Sequence, residues 1–247
     1  MRRWKDLKRG WGLADDGLAD ETVYDPAPGA LLSCTRCPRL ALHRETVARE
    51  KRRSYRNEPY WGRPVPGFGD PQAKILLLGL APGAHGSNRT GRMFTGDGSG
   101  NFLYPALYRT GLANKPLSQN LDDGLRLNGV FITAAARCAP PANKPTKGEL
   151  TSCQSWLARD FAGLPELKVV LALGKVAHDS YLEFLQRRGH TLTKATHKFA
   201  HGALHTFVDE LPLLDSYHVS LQNTNTGTLT PAMFGAVLLR AKQLAGG

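Results

Sequence analysis

The chain has 247 residues, enough to bury a full core as one domain or at most two small ones. Lysine and arginine number 32 against 21 acidic residues, and the net charge of +11 points to a partner rich in negative charge, most simply nucleic acid. No apolar stretch reaches the roughly 18–20 residues of a spanning helix, and the basic opening "MRRWKDLKRG" lacks the apolar core of a secretory signal, so a cytoplasmic protein with no membrane partner is expected.

Residues 1–30 mix charges with glycine and proline and end on "DPAPG"; they read as a poorly ordered basic extension, leaving 31–247 as the folded domain. A helix is expected from Cys37 to Arg53, where Leu40, Leu42 and Val47 keep a partly apolar face. "RNEPYWGRPVPGFGDP" is too rich in proline, glycine and aromatics for anything but a structured loop. "AKILLLGL" is short, apolar and bounded by proline and glycine, which suits a strand buried on both faces. "NFLYPALYRTGL" reads as a helix and "NGVFITAAARC" as a second buried strand. Thr146 and Glu149 have capping-box spacing for a helix reaching Phe161. "LKVVLALG" is the third strand, followed by a helix over Lys175–Arg188. "ALHTFV" is a possible added strand and "PLLDSYHVS" the fourth main one. Thr230 and Pro231 open a last helix that runs to Leu244.

Strands that alternate with helices imply a three-layer α/β/α domain around a mainly parallel four-stranded sheet. Ligands of such sheets bind outside the carboxyl ends of the strands. That rule gathers three segments on one rim: the loop after Leu80, "RCAPPANKP", and "HVSLQNTNTG".

The first of these, "GLAPGAHGSNRTGRMFTGD", combines glycines, two arginines, Phe94 and Asp97. A phosphate cradle accounts for the glycines and arginines but not for the phenylalanine or the aspartate, and no GxxxxGK[ST] is present. Asp97-Gly98 by itself also reads as an ordinary turn. "HKFAHGALH" spaces His197, His201 and His205 like a metal triad, yet lacks the glutamate of HExxH, and Gly202 argues against a single helix face.

Cys34 and Cys37 form a C-x2-C pair, with Cys138 and Cys153 far along the chain and loosely spaced. With no secretory signal, disulfides are disfavoured. Four thiolates converging on one centre would hold either zinc or a [4Fe–4S] cluster, and spacing leaves the two open. Either role is structural, because four thiolate ligands leave no open coordination position.

Taken together and in order, "EPYWGRPVPGFGDP", "GLAPGAHGSNRTGRMFTGD", "RCAPPANKPT", "KFAHGA" and "HVSLQNTNTGTLT" resemble the family-5 uracil-DNA glycosylases, from about Cys34 to Leu244. The resemblance implies a [4Fe–4S] cluster on the four cysteines. It also implies a monofunctional hydrolase that removes uracil, and other deaminated bases such as hypoxanthine, from DNA. Phe94 matches the stacking position. Ala81, Pro82, Gly83 and Ala84 form the backbone that approaches the base, and Asn143 is chosen to read its edge. Asp97 is the candidate to hold the attacking water and stabilise the sugar cation, with His218 donating to uracil O2. Val219 stands where relatives often carry proline. Asn88, Arg89, Arg92, Gln222, Asn223 and Asn225 suit phosphate contacts or a probe into the gap left by the base. Another glycosylase family reads its base with an asparagine in the second strand; Ala134 and Ala135 leave that role vacant, which fits a broader substrate range. The expected partner is damaged DNA, met by a monomer; the competing reading is a non-catalytic, metal-clamped DNA-binding module.

Overall fold

The computed structural model describes residues 28–193 and 195–246, so the amino-terminal extension lies almost wholly outside the described residues. Its helices are α1 (Pro28–Leu32), α2 (Pro38–Glu50), α3 (Ser87–Thr90), α4 (Gly98–Arg109), α5 (Lys147–Gly163), α6 (Lys175–Arg187), α7 (Leu221–Asn225) and α8 (Pro231–Leu244). The strands are β1 (Phe68–Gly69), β2 (Ile75–Gly79), β3 (Val130–Ala134), β4 (Val169–Leu173), β5 (Leu204–His205) and β6 (Leu213–Ser216).

The sheet order is β1-β3-β2-β4-β6-β5. The four expected strands form its parallel centre, with β2 paired to β3 on one side and β4 on the other. The sheet has six strands rather than four, because short antiparallel edges are added by β1 on β3 and β5 on β6. "ALHTFV" held a signal for β5. Two-residue β1 carried none, since its glycine-rich sequence pairs only because the neighbouring strand offers free backbone groups.

Every residue of β2, β3 and β4 is buried, as continuous apolar runs in a doubly covered parallel sheet require. Alternation along β2 divides the core: Ile75 and Leu77 pack with Leu103, Leu107, Phe234 and Leu238 from α4 and α8. Leu76 and Leu78 pack with Leu157, Phe161, Tyr181 and Phe184 from α5 and α6. The capping box is present at α5, where Thr146 accepts from the Glu149 N–H and Glu149 accepts from the Thr146 N–H. Thr230 caps α8 through the Met233 N–H, with Pro231 in its first turn. No helix among the described residues is long and apolar enough to cross a membrane.

Candidate active site

Chain order reverses between β2 and β4, because β3 returns to one side of β2 and β4 lies on the other. Loops leaving the carboxyl ends diverge at such a point and open a crevice. Gly79 ends β2 with Phe94 lying against it; a Cβ there would come within 2.8 Å of the ring. Gly174 follows β4 at φ +94, beside His218, whose own Cβ would be 3.0 Å from a side chain at 174. The two rings, drawn from segments far apart in sequence, have centroids 6.3 Å apart and are tilted by 39°.

Phe94 has φ +53, a left-handed conformation that costs a bulky residue about 1–3 kcal/mol. Its surroundings over-determine it. Gly100 passes so close to the Phe94 carbonyl that any Cβ would clash, and the Tyr104 hydroxyl donates to the carbonyl of Met93 at 2.7 Å. Tyr104 is fully buried, which pushes its pKa up to about 12 and keeps that donor protonated.

Asp97 is the N-cap of α4: Oδ1 accepts from the Gly100 N–H at 3.0 Å. Its other oxygen, Oδ2, presses against Gly83 and Gly86, and a Cβ on Gly86 would collide with the carboxylate. Burial pushes the Asp97 pKa up, partly offset by the backbone N–H groups of Gly100 and Ser99 and by the charge of Arg89. Burial likewise lowers the His218 pKa, which favours a neutral imidazole. The structure thus brings together Phe94, Asp97, His218 and the loop containing Ala81, Pro82, Gly83 and Ala84. Val219, fully buried in the core, anchors the chain directly after His218 without a proline.

Asn143 stands on the second rim segment, the turn after β3. It and Ala142 have φ +56 and +52 on a 3-10 turn after β3, exposed to solvent, with no described contact to Phe94 or His218. Ala134 and Ala135 are buried behind the crevice floor.

The polar residues expected to meet DNA fall into two groups. Asn88 is fully buried and donates to the Arg44 carbonyl at 3.1 Å. Arg92 is 2% exposed, paired with Asp123 at 2.5 Å, and donates to Ser118. Arg89 joins three segments, with an ion pair to Glu58 and bonds to the carbonyls of His85 at 2.8 Å and Gly96 at 2.9 Å. Its guanidinium also lies 4.0 Å from the Tyr55 ring centroid. None of these three is turned toward a ligand. Asn223 holds the His218 carbonyl at 2.8 Å, whereas Gln222 and Asn225 are exposed on α7.

One rim residue escaped the sequence reading. Leu221, 54% exposed, opens α7 and lies across Gly98, immediately beyond Asp97. Its only signal was an apolar side chain in an otherwise polar loop.

The histidine-rich segment also resolves differently from the three-histidine spacing. His178 on α6, His205 on β5 and Asp215 on β6 bring ligand-type atoms within 4.8 Å of one another, a group able to hold a metal ion. Asp215 accepts from or bridges to His178 Nδ1 at 2.9 Å and His205 Nε2 at 3.1 Å. His201 instead accepts the Tyr217 N–H, and His197 takes part through its carbonyl, which faces His178 Nε2 at 3.0 Å. The group braces β6 just before His218.

All four cysteines line one cavity, together with Arg36, Arg44, Arg137 and Trp156. Arg44 donates to Cys138 Sγ at 3.0 Å. Burial pushes the Cys153 thiol up to about 11 and raises Cys37 and Cys138 as well. Thiolates there therefore need a cationic partner. Among the described residues, the buried Nε of Arg44 and the Nε and Nη1 of Arg137 have no hydrogen-bond partner. Four thiols lining one cavity beside arginine side chains form a set that could hold a thiolate-bound metal centre.

Comparison with known proteins gives the family. Residues 66–242 match the family described as the uracil DNA glycosylase superfamily. The chain is 56% identical to the type-5 uracil-DNA glycosylase of Thermus thermophilus, over 87% of this chain and 95% of that protein. It is 44% identical to the type-5 enzyme of Pyrobaculum aerophilum, over 90% of this chain and 94% of that protein. Against the type-4 enzyme of the same organism, identity is 30% over 57% of this chain and 64% of that protein. The chain belongs to the uracil DNA glycosylase superfamily, and within it to the type-5 uracil-DNA glycosylases.

Proposed function

We propose that the protein hydrolyses the N-glycosidic bond of uracil in DNA and leaves an abasic site. The observation that carries the reading is the Asp97 carboxylate held against Gly83 and Gly86, on the same crevice as the Phe94–His218 pair. The extruded base stacks on Phe94, and backbone N–H groups of Ala81, Gly83 and Ala84 donate to its carbonyl oxygens, with Pro82 stiffening the loop. Neutral His218 donates to O2. As the bond from C1′ to the base nitrogen breaks, its electron pair leaves with the base, and His218 stabilises the negative charge on O2. The Asp97 carboxylate faces the positive charge left on the sugar. It orients a water whose oxygen bonds to C1′ and whose proton passes to the carboxylate.

Asn143 reads the base edge from the second rim segment. Gln222 and Asn225 contact flanking phosphates, and Leu221 fills the gap in the stack. Because Ala134 and Ala135 offer no side-chain hydrogen bond to the floor of the crevice, hypoxanthine and other deaminated bases are accepted too.

Cys34, Cys37, Cys138 and Cys153 would hold a [4Fe–4S] cluster, with Arg44 and Arg137 lining the same cavity. The cluster clamps the segment before α2 to the loop after β3 and to α5, and takes no part in bond cleavage. A visible absorption spectrum separates it from colourless zinc.

The deciding assay incubates the full chain with oligonucleotides bearing one uracil or hypoxanthine, then treats them with alkali and scores strand scission. Scission at uracil is expected. Intact strands on every deaminated base, with duplex binding retained, would leave only a DNA-binding module.

A further inference from the structure

The arginines expected to grip DNA are engaged inside the fold, which raises the question of what does face the phosphates. Between α2 and β1 the sequence reads "KRRSYRNEP". Lys51 turns the chain at φ +55, and Arg53–Tyr55 form a 3-10 turn. Arg52, Arg53 and Arg56 are all exposed, and among the described residues none of their guanidinium groups forms an ion pair. The arginines drawn into the fold are neutralised: Arg44, Arg89, Arg92 and Arg137 each pair with a carboxylate. An unpaired cluster concentrates positive potential where an anion can reach it.

The turn is also held in register with the reaction centre. The Arg52 N–H donates to the Tyr60 hydroxyl at 3.4 Å, and that hydroxyl bonds His85 Nδ1 at 2.9 Å. His85 sits between Gly83 and Gly86, the two glycines against the Asp97 carboxylate. Arg89 adds a second tie, reaching Tyr55 and Glu58 on the turn and the carbonyls of His85 and Gly96 beside Asp97. Arg89, half-buried, thus fixes where the exposed ones stand.

Resting on the glycosylase reading above, we propose that Arg52, Arg53 and Arg56 form the phosphate-gripping edge of the site. They take the backbone of the strand that carries the extruded nucleotide, on the flank of the crevice made by the "AHG" loop. Guanidinium groups suit phosphate oxygens through paired N–H donors, and contacts of this kind set affinity and register without reading sequence.

The test uses the full chain with Arg52, Arg53 and Arg56 all changed to glutamine. Affinity for an undamaged duplex is measured across a salt series, beside excision at saturating enzyme. Removing one phosphate interaction lowers the slope of log K against log salt by about 0.9, so a fall of roughly two to three is expected. Single-turnover excision at saturation should stay within about twofold, because the crevice is untouched. A charge-matched control, Arg109→Gln, Arg126→Gln and Lys168→Gln toward the opposite end of the strands, should leave the slope unchanged. The triple lysine variant of the turn should restore most of it. An unchanged slope in the glutamine variant, or an equal fall in the control, overturns the proposal. If the slope falls but the unaltered protein excises no base, the glycosylase reading fails and the DNA-binding edge stands.

Discussion

The crevice and the cysteine cavity both tie distant segments together, but by opposite means. At the crevice, glycines let backbone and side chain approach until the geometry is complete: Phe94 on Gly79, Asp97 on Gly83 and Gly86, His218 beside Gly174. In the cysteine cavity, buried N–H groups on Arg44 and Arg137 find no partner among the described residues. The first region is preorganised by the polypeptide alone. The second gathers four thiols beside buried arginine donors, and on the cluster reading proposed above its contribution would be to stability rather than to chemistry.

The largest effect should come from Asp97→Asn. Asparagine preserves the N-cap of α4 but removes the negative charge, so single-turnover excision should fall about 10³-fold while duplex affinity holds. An equal loss of binding would make Asp97 a structural residue. Cys153→Ser tests the other region: iron content and visible absorbance should disappear, and the thermal midpoint should drop by about 10 °C. Excision per folded molecule, measured well below that midpoint, should change by less than about threefold. A proportionate collapse of activity would erase the distinction between the two regions.

Gly86→Ala should then cost excision about 10²-fold, since the added methyl displaces the carboxylate, and lower the thermal midpoint by a few degrees through the disturbed cap of α4. The pH profile sharpens the same point. Asp97 must be ionised, and its pKa is raised by burial, so the rate should fall as pH drops through a midpoint above the ordinary value of about 3.9. That acid limb should be absent from the residual activity of Asp97→Asn. The smallest effect belongs to the rim: Leu221→Ala should slow excision about three- to tenfold in duplex DNA and leave single-stranded substrate unaffected. Equal slowing on both substrates would assign Leu221 to supporting Gly98 instead.

Sequence patterning carried the parallel centre of the sheet, since a strand buried on both faces has to be apolar throughout, as Leu76–Leu78 and Val169–Leu173 are. Local capping chemistry likewise marked the starts of α5 and α8. The loops of the crevice were legible as motifs, because Gly83, Gly86, Phe94, Asp97 and His218 lie in long stretches of unusual composition. Edge strand β1 was not legible, because its pairing depends on the partner strand and not on its own residues.

What the sequence determined by itself was the layered fold and the residue types brought to its rim. Only tertiary structure decided which polar residues stay available to a ligand. A glycine-loop arginine reads as a phosphate contact until Glu58, Tyr55 and Asp123 are seen closing around Arg89 and Arg92. The exposed run at Arg52–Arg56 is tied through Tyr60 to His85, on the loop whose Gly83 and Gly86 meet the Asp97 carboxylate. The reason is physical: a charged side chain takes its role from the partners that desolvate and pair it, and those come from parts of the chain that local pattern does not connect.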